Sequence, residues 1–120
     1  MQDFKKLAAW QKSMVAARHC FEATKHLPRE QRYGLQSQMR RAAISIPSNI
    51  AEGAGRRSNR EFARFLRIAY GSSCELETQA LLALDLDLGS SLQLTRLLTM
   101  IDEIQRILTK LIDRVLEDTN

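Results

Sequence analysis

Residues 90–117 read SSLQLTRLLTMIDEIQRILTKLIDRVLE. Within this stretch Leu94, Leu97, Ile101, Ile104, Leu108, Leu111 and Val115 recur at steps of three and four without a miss. One face of an α-helix has that period; a strand, which alternates every second residue, does not. The same spacing makes the seam along which helices pack in a left-handed bundle. Ser90 stands just before the run with Gln93 three residues on, a capping box in which the serine oxygen accepts an otherwise orphaned backbone N–H.

Three further amphipathic segments precede this one. The nearest opens on a second capping box, Ser58-Asn59-Arg60-Glu61, in which Glu61 is expected to reach back to the Ser58 backbone. Its core line is Phe62, Leu66, Ala69, Ser73, Leu76, Ala80 and Ala83, and Leu88-Gly89 ends it. The segment before that begins between Pro28 and Leu35 and carries Leu35, Met39, Ala42, Ile46 and Ile50. Pro47 lies inside it, where the ring removes one backbone bond and crowds the carbonyl of Ala43. The apolar period continues across the proline, so the spacing predicts one helix kinked near Ala43–Pro47 rather than two. Gly53 and Gly55 are expected to stop it. The first segment runs from Asp3, a candidate N-cap, through Leu7, Trp10, Met14, Ala17 and Phe21 to His26, where Leu27-Pro28 interrupts it. The expected fold is all-α: one antiparallel up-down-up-down four-helix bundle spanning residues 1–120. Its helices fall at about 3–26, 30–54, 58–87 and 91–118, with helix two kinked at Pro47.

Composition agrees. Hydrophobic residues make up 44% of the 120 and charged residues 27%, enough apolar content for one core and too much for a disordered chain. The opening MQDFKKLAAW carries charges inside any would-be apolar run, so no signal peptide is expected; no run approaches membrane-spanning length, and a cytoplasmic location follows. Cys20 and Cys74 are too few and too far apart for a disulfide framework or a zinc pattern, and both read as reduced thiols in or near the core. The net charge of +4 is uneven. Residues 29–67 hold nine Arg against three Glu, whereas residues 68–120 hold four Lys or Arg against nine Asp or Glu. Such asymmetry suits a polyanion partner or a head-to-tail fit between subunits.

Nothing in the sequence arranges residues for catalysis, and no cofactor or metal is implied. His19 and His26 are seven apart on helix one and could share a face, but Glu-x-x-His, the di-iron signature of bundle enzymes, does not occur. Gly53-Ala54-Gly55-Arg56-Arg57 follows a helix and lacks the Lys-Ser/Thr ending of a phosphate loop. Three surface features stand out instead. Arg57, Arg60, Arg64 and Arg67, with Arg56 in the preceding turn, line the side of helix three opposite its core; such a stripe can follow a phosphate backbone or form a solvated outer face. On helix two, Gln38, Ser45 and Glu52 are spaced seven apart with Arg41, Ser48 and Asn49 beside them. Short polar side chains suit close approach of another helix, with Glu61 or Glu75 of helix three or a symmetry mate as the expected partner; a serine satisfying a carbonyl freed by Pro47 is the other reading. Finally, Ile44, next to Arg40 and Arg41, and Ile68, Leu81 and Leu82 lie off the core lines, which points to a subunit interface.

The stretch Ser37-Gln38-Met39-Arg40-Arg41-Ala42-Ala43-Ile44-Ser45-Ile46-Pro47-Ser48-Asn49-Ile50-Ala51-Glu52-Gly53 resembles the core motif of the four helix bundle protein family, whose first described members are the 23S ribosomal RNA intervening-sequence proteins. The similarity extends through Arg57-Ser58-Asn59-Arg60-Glu61-Phe62, Arg64-Phe65-Leu66, Ile68-Ala69-Tyr70-Gly71-Ser72 and Glu75-Leu76-Glu77-Thr78, and back to Leu7-Ala8-Ala9-Trp10-Gln11-Lys12. The resemblance implies a bacterial, non-enzymatic bundle that assembles into a closed ring, typically a homopentamer. It also implies a distant similarity to accessory variability determinant proteins of diversity-generating retroelements, basic pentamers that bind nucleic acid and a reverse transcriptase. Carried over, Gln38, Arg41, Ser45, Asn49 and Glu52 become structural or interface positions. The expected partners are further copies of the chain, RNA or DNA, and a nucleic-acid-processing protein. Two functions stay open: a ring-forming scaffold whose arginines contact nucleic acid, with Arg56, Arg57, Arg60, Arg64 and Arg67 as the binding residues, and a protein-interaction module whose arginines serve subunit or partner contacts. In either, Gln38, Arg40, Arg41, Ile44, Ser45, Ser48, Asn49, Glu52, Ile68, Glu75 and Leu82 are the candidate interface residues.

Overall fold

A computed structural model describes residues 3–118; the ends of the expected domain, 1–2 and 119–120, lie outside it. Four helices follow one another, α1 (Ala8–Thr24), α2 (Leu35–Ala54), α3 (Asn59–Asp85) and α4 (Ser91–Glu117), with three-residue 3-10 turns at Phe4–Lys6 and Arg29–Gln31. Each packs on its chain neighbour, and α1 closes the set against α4. Neither diagonal pair touches among the described residues, so the cross-section is a square on a long axis of 49 Å.

The heptad line of α4 is wholly buried from Leu94 to Val115, as are the expected lines of α3 from Phe62 to Ala83 and of α2 from Met39 to Ile50. Ser58 Oγ accepts from the Glu61 amide at 3.1 Å and Ser90 Oγ from the Gln93 amide at 3.3 Å, so both predicted serine caps form. The reciprocal half of the first box does not: the Glu61 carboxylate pairs forward with Arg64 at 2.9 Å instead. Pro47 sits buried inside an unbroken α2, which is one helix and not two. α2 ends at Ala54 with Gly55 as its cap, but Gly53 is no stop signal. It is buried within the helix, and a Cβ there would lie 2.7 Å from Phe65 Cβ and 3.2 Å from the Phe62 carbonyl oxygen. At Gly53 the α2 backbone lies so near Phe62 and Phe65 of α3 that any added side chain would force a shift.

α1 departs most from its expected reading. Asp3 caps the 3-10 turn rather than the helix, and Leu7 takes the N-cap position of α1. The buried line on α1 is Ala9, Ser13, Ala16, Cys20 and Ala23, not Trp10, Met14, Ala17 and Phe21, which are only half-buried. Both lines step at helical spacing, so periodicity alone could not choose between them. Packing chose the small side chains, which let α1 settle close on α2 and α4. The two internal hydroxyls bond to their own helix, Ser13 Oγ donating to the Ala9 carbonyl and Thr24 Oγ1 to that of Cys20. Cys20 is buried as expected, whereas Cys74 is exposed on α3.

Candidate nucleic-acid interface

The arginine stripe occupies the end of the bundle where α2 passes into α3. The Ser58 cap starts α3 one residue later, so Arg56 and Arg57 lie in the turn and Arg60, Arg64 and Arg67 on the first three helical turns. All five are exposed, but they fall into two groups. The Arg56 guanidinium lies 4.8 Å from the centre of the Phe65 ring and pairs with Glu52 at 3.2 Å. Arg64 lies 4.5 Å from the same ring and pairs with Glu61 at 2.9 Å. The hydrogen bond from Arg64 holds the Glu61 carboxyl below the usual carboxylate range, and the same bond pushes the Arg64 guanidinium up. These two arginines roof the close α2–α3 contact at Gly53 with charge already matched inside the subunit.

Arg57, Arg60 and Arg67 differ. Among the described residues no carboxylate is in ion-pair contact with any of them. Arg67 borders a cleft of about 240 Å³ between α3 and α4, lined also by Tyr70, Thr109, Ile112 and Asp113. Tyr70, one turn from the stripe, is half-buried in that cleft and packs against the core. Three unmatched guanidinium groups spread over about 15 Å of α3 and the turn before it can each donate a fork of hydrogen bonds to an anionic oxygen.

The polar row of α2 turns towards α3. Ser45 Oγ and Ser72 Oγ share a hydrogen bond of 2.8 Å. Asn49 Nδ2 donates to the Ser45 carbonyl at 2.8 Å and to its Oγ at 3.0 Å, and Glu52 holds Arg56. Helix three was the expected partner, but through Glu61 or Glu75; the side chain in reach is Ser72. A sequence signal for it existed, since Ser72 follows Phe65 by seven residues and shares its face. Ser45 does not serve a carbonyl freed by Pro47. Arg40 is engaged inside the subunit: Nε donates to Thr24 Oγ1 at 2.9 Å, and the guanidinium lies 4.7 Å from the Phe21 ring centre. Gln38, Arg41, Ser48 and Glu75 are exposed, as are Ile44, Ile68 and Leu82. The structure thus draws Ser45, Asn49, Glu52, Arg56 and Arg64 into one α2–α3 seam and leaves the rest apart from it.

His19 Nε2 lies 3.0 Å from the Gln93 carbonyl, tying α1 to the start of α4, and the described residues contain no group of three or more His, Cys, Asp or Glu able to hold a metal ion. No helix among them is long and apolar enough to cross a membrane.

Residues 5–110 match the family model described as 23S rRNA-intervening sequence protein. The chain belongs to that family. Its fold is shared with a protein of unknown function from the S23 ribosomal protein family of Bacteroides thetaiotaomicron, known from a crystal structure. That protein matches with a TM-score of 0.80 and 25% identity, over 88% of this chain and 98% of its own. No curated protein matches the sequence. The 23S rRNA-intervening sequence protein family thus accounts for nearly all of the bundle, the arginine stripe included.

Proposed function

We propose that this family member is a non-enzymatic, cytoplasmic scaffold that assembles from copies of itself into a ring, a pentamer by the resemblance, and contacts RNA or another nucleic acid through Arg57, Arg60 and Arg67. The observation that carries the reading is the division of the stripe: two arginines are ion-paired within the subunit, and the other three form no ion pair among the described residues. The family's name, which refers to an intervening sequence of 23S rRNA, supports RNA as the polyanion.

A salt titration of RNA binding tests it. Each phosphate contact on a single strand contributes about −0.7 to the slope of log affinity against log salt. A variant with Arg57, Arg60 and Arg67 changed to Gln is expected to bind weakly and to flatten the slope by roughly 2 per bound subunit. Affinity independent of salt, or unchanged in the variant, sinks the proposal. A variant that instead falls into smaller oligomers favours the second reading, in which these arginines serve subunit contacts.

A further inference from the structure

α1 carries large apolar side chains on a half-buried flank, outside its buried line. Val15 is 44% exposed, and Trp10, Met14, Ala17 and Phe21 border the groove between α1 and α2 together with Ile44 and Pro47. Two clefts of about 360 and 440 Å³ adjoin at Met14 and Ala17; the second is bordered by α1 alone, through Arg18, Phe21 and Glu22 besides, and Glu22 is already paired with Lys25 at 3.0 Å. A subunit that stayed alone would gain by turning these residues inward. On the outer side of α3, Ile68, Gly71, Glu75, Thr78, Leu82 and Asp85 step by three and four along one line. Ile68 and Leu82 are 40% and 47% exposed, and Gly71 has open space around it.

Resting on the ring reading above, we infer that the α1–α2 groove of one copy receives the α3 ridge of the next. Charge complementarity identifies the occupant. Arg18, which lines the groove, and Arg41, one turn from Ile44, carry no ion pair among the described residues, and neither do Glu75 and Asp85 on the ridge. Their heights agree. The Cys20–Met39 bond sets those two residues level, and Arg18 and Arg41 each lie two residues below them. The Ser45–Ser72 bond sets α2 and α3 level, and from it Arg41 is four residues up and Glu75 three, within about 1.5 Å of each other. Two copies side by side at equal height therefore bring Glu75 of one to Arg18 and Arg41 of the other. Gly71 is four residues below Glu75 on the ridge, as Met14 is four below Arg18 and Ile44 three below Arg41, and it lets the helix approach those two. The groove occupies one side of the square cross-section and the ridge the outer corner at α3, directions that are not opposite. Repetition of such a head-to-tail contact turns steadily, and between copies at equal height it makes a ring where that turn divides a full circle and a filament where it does not.

The test uses two variants at surface positions, Ile44→Glu in the groove and Ile68→Glu/Leu82→Glu on the ridge, with circular dichroism confirming that both keep wild-type helix content. Light scattering is expected to give a multiple of 13.7 kDa for the wild type and the single-chain mass for each variant. Mixed in equal amounts, the variants regain one intact contact and form a heterodimer that grows no further. A wild type that is oligomeric while either variant stays assembled, or a mixture that remains monomeric, overturns this pairing of surfaces and leaves the ring reading standing. A monomeric wild type overturns both.

Discussion

Two helix-interior glycines, changed to the same residue, should move stability in opposite directions. Alanine replaces glycine in a helix with a gain of about 0.5–1 kcal/mol, because less backbone freedom is lost on folding. At Gly71 nothing lies within 4 Å of the added methyl, so Gly71→Ala collects that gain. At Gly53 the methyl would stand 2.7 Å from Phe65 Cβ and 3.2 Å from the Phe62 backbone oxygen, atoms that cannot rotate away. Overpacking of this kind costs roughly 1–3 kcal/mol, and its upper range applies where the obstacle is backbone. After subtraction of the helix gain, Gly53→Ala should lose roughly 1–2 kcal/mol. For a chain of this size about 4 °C accompanies each kcal/mol, so the melting temperature should fall by roughly 4–8 °C, against a rise of about 2–4 °C for Gly71→Ala. Urea melts read the same differences with unchanged slopes. Both measurements belong in the Ile44→Glu background, where assembly does not contribute. If Gly53→Ala is neutral or stabilising there, the helices can part freely at that point and the account of the α2–α3 seam is wrong.

Other consequences are as direct. Ser45→Ala strands the Ser72 hydroxyl, which is 6% exposed, and should cost about 1–2 kcal/mol; adding Ser72→Ala should recover part of it, and strictly additive losses in the double-mutant cycle would contradict the bond. Burial pushes the Cys20 thiol up to about 12, against a weaker opposing pull from Arg40. The unfolded chain ionises first, so this group's contribution is intact below about pH 8.5 and declines towards 12 by about 1.4 kcal/mol per pH unit; the decline should vanish in Cys20→Ala. A thiol reagent should label one cysteine, Cys74, in the native Ile44→Glu subunit and the second only on unfolding; two equal fast phases would show that Cys20 is accessible.

The sequence was most legible where one helical face alone was apolar. α4 offers a single unbroken line from Leu94 to Val115, and all of it is buried. α1 offers two lines, a large one through Trp10, Met14 and Phe21 and a small one through Ala9, Ala16 and Cys20, and hydrophobicity favoured the wrong one. Only the distance between packed helices separates them, and that distance is a tertiary property. Gly53 misled for a similar reason, since a glycine that ends a helix and one that admits a neighbouring backbone look alike in a sequence. The arginine stripe was legible as a pattern, but its division was not. Whether an arginine is spent inside its own subunit depends on Phe65, Glu52 and Glu61 meeting it in three dimensions.

That division and the ring constrain each other. Arg57, Arg60 and Arg67 lie towards the end of the bundle where α2 passes into α3, below the proposed ridge, so the proposed ring would set the three unmatched arginines of every subunit on one rim. One subunit's set spans about 15 Å, roughly five nucleotides at about 3.4 Å per nucleotide of a duplex strand. A longer RNA can engage several sets, and each added contact is then intramolecular, raising affinity by as much as about 10²–10⁴ with no new kind of contact. The Ile44→Glu subunit keeps all three arginines and loses only the ring. It should therefore bind a five-nucleotide RNA about as well as the wild type does per subunit, while its affinity for a thirty-nucleotide RNA falls by at least tenfold, as fluorescence anisotropy at fixed salt would read. Equal losses on the two lengths would mean that Ile44 touches the RNA itself, and no loss on either would mean that a single subunit is the whole binding surface.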